Sequence, residues 1–469
     1  MSRADLMALD KTALADLVLR QAGRGRIAAL EARLAGMERR FEELERRAAR
    51  CAASFARPEG KRSASPKRPG RKGGHEGACR VRPPEEAVDR RIEAPLTHCP
   101  HCGDALAPET DEPLEQTLIE APPARPHVIR LVAHRNRCRG CGRRVASTHP
   151  LQVSTAGGAA GSHLGPRALA LAASLNKGLG LTTRKTCAVL RDLLGIELSP
   201  GGLAQALARV AGRLAPAYDA LLESVKAEPV LHTGETSWWV GRTGFSLWVL
   251  TNRAGTCYRV VPARSRAAAE ALLGDYRGVL VSDCLNIYDG LTPHRHECYA
   301  HHLEEIGKAL DDPGARASPY PRELRGLLVG AMALKAEMAR LPPGEVARMR
   351  RALEANADRL LGLPGAGANA GDAAAPVDEK LRRRLRKQRD HLFTFLDHEA
   401  VDATNNLAER QLRPAVISRK LSCGNKTARG AGTWQVLASL AATCRQTGSS
   451  FADFLIPRLA LSAALVQER

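Results

Sequence analysis

The sequence predicts a multidomain α/β protein in which helical segments surround a core that contains a sheet. Three observations support this prediction. Two Cys-x-x-Cys pairs lie in the first third of the chain, short apolar or β-branched runs fill residues 229–281, and helical periodicity returns over residues 303–400. At 469 residues the chain has room for about two to four domains.

Charge is the dominant feature of the composition. Lys and Arg outnumber Asp and Glu by 70 to 50, which gives a formal charge of +20. Such an excess favours DNA or another polyanion as partner, and the alternative is a generically basic soluble protein. The chain has no apolar run long enough to span a membrane, and its N-terminus has no apolar signal core. We therefore expect a cytoplasmic protein that needs no membrane.

The N-terminal segment, residues 1–50, has apolar residues at alternating spacings of three and four between Ile27 and Leu44. This pattern is typical either of an amphipathic helix packed on its own domain or of a short coiled coil that makes the protein at least a dimer. Residues 51–90 are rich in Pro, Gly, Ser and basic residues and predict a flexible linker. Its candidate DNA-binding residues are Lys61, Arg62, Lys67, Arg68, Arg71 and Lys72.

Residues 91–150 predict a zinc ribbon. Two thiolates in each Cys-x-x-Cys pair can bind one tetrahedral zinc, and the glycine after each pair permits a tight turn. The 35 residues between the pairs contain the extended segment His127–Ala133, which suits a ribbon with an inserted strand. The candidate zinc ligands are Cys99, Cys102, Cys138 and Cys141.

A helical segment over residues 160–226 precedes the predicted sheet. Its helices are expected at Ala168–Leu175, at Thr183–Leu194 ending at Gly195, and at Ser199–Leu222, where Ser199 is a good N-cap. A helix-turn-helix that contacts DNA and a helical hairpin that binds nothing both fit this pattern.

Residues 227–302 change to short strands, and a strand over Gly278–Val281 is followed by Asp283. A β-meander followed by a strand with a terminal Asp is what an RNase-H-like sheet shows. Three tryptophans fall in or beside these strands and are expected in the core: Trp238, Trp239 and Trp248. Residues 303–400 predict a helical insertion, interrupted by a low-complexity loop.

Residues 401–469 complete the predicted core, and Val401–Gly430 places Glu409 on a short basic helix. A lone Glu among arginines is usually an ion-pairing residue. It becomes a candidate Mg²⁺ ligand beside Asp283, because in-line displacement at phosphorus by two Mg²⁺ ions uses acids on neighbouring strands and on a later helix. The basic residues around it are candidate DNA contacts: Arg410, Arg413, Arg419 and Lys420.

These motifs together resemble the DDE transposases of the insertion-sequence type sixty-six, the TnpC proteins. The most specific parts are LHTGET at Leu231–Thr236, Ser282-Asp283, CYAH at Cys298–His301, and NNLAERQLRP with SRKLSCGN. The resemblance covers nearly the whole chain. It implies an RNase-H-like core with a helical insertion, transfer of transposon ends, Mg²⁺ as catalytic cofactor, and accessory transposition proteins as possible partners.

This chain departs from the family pattern at the first metal ligand. The family has Asp-Glu-Thr after the first strand, whereas this chain has Gly234-Glu235-Thr236, and glycine offers no side-chain ligand. Strand alternation predicts that Glu235 points away from the face of residue 234. A second departure is Glu304 and Glu305 after Cys298–His301, where the family usually has basic residues.

Three functions remain open from the sequence. The first is an active transposase, and the second is a catalytically impaired relative that still binds DNA, for example as a repressor. Gly234 favours the second over the first. The third, a zinc-ribbon transcription regulator whose core only dimerises, fits the motifs less well.

Overall fold

The computed structural model describes residues 81–93, 96–106, 115–121, 124–152, 163–241, 243–311, 318–362 and 376–460. The predicted N-terminal coiled coil, most of the basic linker and its six candidate DNA-binding residues lie outside this part of the chain. The chain divides into two compact units, Met1–Ala121 and Pro122–Arg469. In the described residues, no helix is both long and apolar enough to cross a membrane.

The second unit begins with a small hairpin of β1 (Arg135–Arg137) and β2 (Arg144–Ala146), which pair antiparallel. The predicted strand over His127–Ala133 is wrong, because this segment pairs with no strand among the described residues and regular pairing begins only at Arg135. Its apolar side chains are accordingly exposed: Val128 retains 92% of its accessible surface.

Three helices follow, namely α1 (Pro166–Ala173), α2 (Thr183–Leu194) and α3 (Pro200–Ala227), with a π-helical turn after α1. The predicted N-cap at Ser199 and the predicted helix end at Gly195 are confirmed, whereas α3 continues to Ala227, beyond the predicted end at Leu222. The Ser199 hydroxyl accepts a hydrogen bond from the Gly202 N–H at the start of α3, and Gly195 ends α2 with a φ of 63°. This left-handed conformation is readily accessible to glycine.

The core of this unit is a five-stranded mixed sheet. The strands are β3 (Val230–Val240), β4 (Thr243–Thr251), β5 (Thr256–Val261), β6 (Val279–Ser282) and β7 (His294–Glu297). Their order in the sheet is β5-β4-β3-β6-β7. The pairs β3-β4 and β4-β5 are antiparallel, whereas β3-β6 and β6-β7 are parallel. A helix, α4 (Arg266–Leu273), connects β5 to β6.

Helices cover both faces of this sheet. Tyr218 and Val225 of α3 pack with Trp248 on one face, and helices near the C-terminus pack with Trp238 on the other. Trp238 and Trp248 are buried as predicted, but the prediction for Trp239 is wrong, since 49% of it is exposed. Trp239 faces the opposite side of β3 from Trp238, near the end of the strand, and its partner on β4 is Gly244, which has no side chain to cover it.

Between β7 and the closing helices lies a helical insertion, whose apolar core also includes Val230 of β3 and Val279 and Val281 of β6. It consists of α5 (Tyr299–Asp311), α6 (Tyr320–Glu337), α7 (Pro343–Leu361), α8 (Pro376–Lys387) and the short α9 (Thr394–Asp397). The chain then forms α10 (Asn406–Ser422), α11 (Ala428–Gln446) and α12 (Phe451–Leu459). Ala408 and Ala415 of α10 are buried against the sheet, because their small side chains permit a close approach of helix and strand.

Candidate active site

One cavity brings Asp283, Glu409 and Gly234 together. Val230 pairs with Val279 and His232 with Val281 in the parallel register of β3 and β6, so residue 234 comes beside Asp283 when this register continues. Glu409 reaches the same cavity from the first turn of α10. The cavity has a volume of about 300 Å³, and His301 and Glu304 also line it.

The Asp283 carboxyl group is the most strongly perturbed acid in this cavity. Burial first, and then the negative charge of Glu235, raise the pKa of Asp283 to about 7. Its Oδ1 atom is buried and has no hydrogen-bond partner among the described residues. A buried carboxylate oxygen without a partner is costly, so this atom is well suited to receive a cation.

Asn405 positions the start of α10 and therefore Glu409. Its Nδ2 donates to the carbonyl of Thr233 at 2.7 Å, and its Oδ1 lies 3.1 Å from Nδ1 of His232. Its backbone N–H donates to the sulfur of Cys298 at 3.1 Å. In the sequence, only the pair Asn405-Asn406 at the start of the helix points to this role.

Glu409 is more open than Asp283. Its side chain is 43% exposed, and its Oε1 lies 4.0 Å from Nδ1 of His301. The Cys298 side chain first, and Glu409 to a smaller extent, raise the pKa of His301. Cys298, His301 and Glu409 thus form one group of three potential metal ligands.

Gly234 and Glu235 are consecutive residues of β3 with opposite predicted directions, and both border the cavity. A Cβ at residue 234 lies 3.3 Å from Cδ1 of Leu412 and 3.9 Å from Cβ of Ala408, both on α10. The Glu235 side chain is fully buried, and its Oε1 accepts a hydrogen bond from Nη2 of Arg264 at 2.6 Å. Its Oε2 accepts one from the hydroxyl of Tyr288. Both carboxylate oxygens of Glu235 are therefore occupied.

The oxygen donors in this cavity fit a hard divalent cation. Asp283 and Glu409 offer carboxylates, and Mg²⁺ commonly takes one or two of these together with water. Glu235, Asp283 and Glu409 do not form a compact three-ligand group in the described residues. The present side chains fit one Mg²⁺ better than a complete pair, because residue 234 contributes no ligand.

The basic residues of α10 divide into two groups. Arg410, Arg413 and Lys420 are exposed, whereas Arg419 is half-buried. The Nη1 atom of Arg419 donates to Oγ1 of Thr236 at 3.0 Å and also contacts Ser237. Arg419 therefore attaches α10 to β3, and the other three face solvent.

The two cysteine pairs each adopt a tight turn in their own unit. Gly103 donates its N–H to the carbonyl of Cys99, and Gly142 donates to that of Cys138, both at 2.9 Å. Backbone N–H groups of Cys102 and Cys141 lower the pKa values of Cys99 and Cys138 respectively. Each turn thus favours a thiolate, the form that binds metals.

Comparison with known proteins identifies the family. The chain is 25% identical over 431 residues to the uncharacterized protein y4hP of Sinorhizobium fredii (strain NBRC 101917 / NGR234), covering 84% of this chain and 74% of that protein. It is 24% identical over 299 residues to the uncharacterized protein y4jD of the same organism, covering 54% of each. The model of the Transposase IS66 family matches residues 161–433, which contain the sheet, the insertion and Glu409. The chain therefore belongs to the IS66 transposase family.

Proposed function

We propose that this protein binds transposon-end DNA and performs Mg²⁺-dependent strand cleavage and transfer, with catalysis impaired by Gly234. The observation that carries the proposal is the meeting of Asp283, Glu409 and Gly234 at one cavity. The strand order and the helices on both faces support an RNase-H-like core. Family membership supports DNA as the partner.

Asp283 and Glu409 are the proposed Mg²⁺ ligands. When bound, Mg²⁺ supplies positive charge that activates the attacking oxygen and stabilises the leaving one. Asp283 offers a buried oxygen without a partner, and Glu409 approaches from α10, which Asn405 holds against β3. The rigid strand end and the anchored helix keep the two carboxylates in a fixed relation to the DNA phosphate.

Gly234 is the proposed cause of weak catalysis. An Asp at this residue points toward the helix that carries Glu409, whereas Glu235 points to the other face and is held by Arg264 and Tyr288. Glu235 must break both contacts before it can serve as a ligand. An impaired transposase that retains DNA binding, including a repressor of related elements, is therefore the closest alternative.

DNA binding is assigned to exposed basic residues and to the N-terminal part. Arg410, Arg413 and Lys420 face solvent on the helix that carries Glu409. We further propose that the four paired cysteines bind a structural zinc, that the protein acts as at least a dimer, and that accessory transposition proteins take part. The tight turns at both cysteine pairs support the zinc assignment.

The test is a restoration experiment on the full chain. The probe is a linear DNA fragment that carries the gene with its native flanking sequence. The wild-type protein is expected to bind it and to cleave it weakly with Mg²⁺. Gly234→Asp should raise cleavage roughly 100-fold or more, because a metal-bridging carboxylate contributes several kcal/mol to the transition state.

The matched control is Gly234→Asn, which has the same shape but no charge. Both variants require Leu412 to shift slightly, since a Cβ lies 3.3 Å from it. Equal cleavage by the two variants contradicts the proposed ligand role. Strong cleavage by the wild-type protein that Glu235→Ala abolishes overturns the idea that Gly234 impairs the site. If the wild-type protein does not bind the DNA fragment, the proposed function as a whole is contradicted.

A further inference from the structure

A second cluster of metal-binding side chains lies next to the candidate active site but outside it. Cys284 follows Asp283 directly, Glu297 ends β7, and His302 lies in the first turn of α5. The parallel register pairs Ser282 with Glu297, which brings the ends of β6 and β7 together. One ligand atom from each of the three residues lies within 4.8 Å of the other two.

Two of the distances within the cluster are close to those of tetrahedral coordination. Nε2 of His302 lies 3.6 Å from the Cys284 sulfur and 3.2 Å from Oε2 of Glu297. With zinc bond lengths of about 2.3 Å to sulfur and about 2.0–2.2 Å to nitrogen or oxygen, ligands at the tetrahedral angle lie about 3.4–3.6 Å apart. Small shifts of these side chains therefore suffice to close a site around one ion.

Arg295 orients the carboxylate of Glu297. Its Nη2 donates to Oε1 at 2.7 Å, which leaves Oε2 directed toward His302. Only 5% of the Glu297 side chain is exposed, and Oε2 lies buried beside His302 rather than beside Arg295. An arginine that fixes one oxygen and leaves the other directed at a second potential ligand is typical of support around a metal ligand.

The donor types select zinc over the hard cations. A thiolate and an imidazole are poor ligands for Mg²⁺, and together with a carboxylate they suit Zn²⁺. The negative charges of the thiolate and the carboxylate balance the two positive charges of the ion. A cavity of about 280 Å³, lined by Cys284, Glu297 and the basic residues Lys380, Arg383 and Arg384, leaves room for a fourth ligand.

We propose that Cys284, Glu297 and His302 bind one zinc ion, whose fourth position is open to water or a small anion. This site uses none of the ribbon cysteines and none of the proposed Mg²⁺ ligands. Because Cys284 is bonded to Asp283, the bound ion also fixes the turn that positions Asp283 in its own cavity.

Counting zinc in the full chain tests the proposal. Native mass spectrometry of protein reloaded with Zn²⁺ after chelation should show two zinc ions per chain. A variant with Cys99, Cys102, Cys138 and Cys141 all changed to Ser should retain one, and adding Cys284→Ser should remove it. The matched control is Cys423→Ser, since Cys423 is a free, exposed cysteine outside the cluster.

Cobalt provides a second measurement that does not depend on a Cys284 variant. In the four-serine variant, Co²⁺ should give a thiolate charge-transfer band, and Glu297→Gln should weaken Co²⁺ binding at least tenfold. Circular dichroism checks that each variant is folded. If the folded four-serine variant binds no zinc and shows no band, the proposal is overturned. An unchanged zinc count after Cys284→Ser also overturns it. If the four-serine variant does not fold, the wild-type protein decides, and a count of only one zinc per wild-type chain overturns the proposal.

Discussion

The two cavities beside the end of β6 differ in the chemistry that consecutive residues bring to them. Asp283 and His301 line the candidate active site, whereas Cys284 and His302 belong to the proposed zinc cluster. Among the residues that the structure describes, the two cavities have no lining residue in common. The first offers carboxylate oxygens at its β6 end, and the second offers sulfur, nitrogen and oxygen. Alternation along the chain can thus separate a hard-cation site from a soft one within a few residues.

Arg295 contacts residues of both sites. Its Nη2 lies 3.3 Å from the carbonyl of Asp283 and 2.7 Å from Glu297, and its Nη1 pairs with Asp289. Only 1% of the residue is exposed. This buried arginine therefore holds the turn between the two sites.

The largest effect is expected from Arg295→Met. Removing one partner of a buried ionic network leaves carboxylates without compensation, so the free energy of unfolding should fall by about 3–5 kcal/mol. Urea denaturation measures the loss. Arg348→Met is the control, because its pair with Glu345 is exposed and should change stability by less than about 0.5 kcal/mol. A loss below about 1 kcal/mol for Arg295→Met contradicts this role.

The next effect distinguishes the sites by pH. Asp283 has a pKa of about 7, so its carboxyl group is largely neutral below that pH and must lose a proton to bind a cation. The apparent affinity for Mn²⁺, used as the probe, should rise about tenfold from pH 5.5 to 6.5 and become constant above about pH 8. Asp283→Asn should remove this binding. An affinity that does not change with pH in calorimetry contradicts the assignment.

The same pKa has a consequence for the protein without metal. The pKa of Asp283 is higher in the folded state than in the unfolded state, so its contribution to stability is present at low pH and is lost as pH rises through 7. Mg²⁺ should offset this loss above pH 7. Thermal unfolding with and without Mg²⁺ measures the difference.

The smallest effect concerns DNA beside the first cavity. Arg410→Gln with Arg413→Gln should weaken binding of the flanking DNA and reduce the salt dependence of the logarithm of the binding constant by about 1.8. Arg386→Gln is the control, because Nε of Arg386 donates to the carbonyl of Leu361 at 2.9 Å on the insertion. An equal change in salt dependence for the control indicates that DNA contacts the insertion instead.

The acids of the first cavity could be predicted from the sequence because strong local patterns precede them. The apolar run of β6 ends just before Asp283, and Glu409 lies in a recognisable basic helix. The second cluster could not be predicted in this way. The polar sequence of β7, HRHE, gives no apolar signal, although Arg295, His296 and Glu297 are buried. Only the parallel pairing of β6 with β7 brings Cys284 near Glu297, and this pairing is a tertiary property.

The same limit applies within β3 and α10. Alternation predicted the direction of Glu235, but the contacts with Arg264 and Tyr288 depend on a loop and a turn that are distant in sequence. In the sequence, Arg419 belongs to the same cluster of basic residues as Arg410 and Arg413. In the structure it differs from them because it contacts β3, and the clustering of charge along the sequence does not predict such a contact.

The hydrogen bonds of Asn405 bear on when the candidate active site can assemble during protein synthesis. This residue joins α10 to Thr233 across 172 positions of the chain, and the whole insertion lies between them. Contacts of such high sequence separation form late, because the intervening chain must be ordered first. A growing or truncated chain that ends in the insertion carries Asp283 without Glu409. The chain must therefore extend through the first turns of α10 before all residues of the cavity are present.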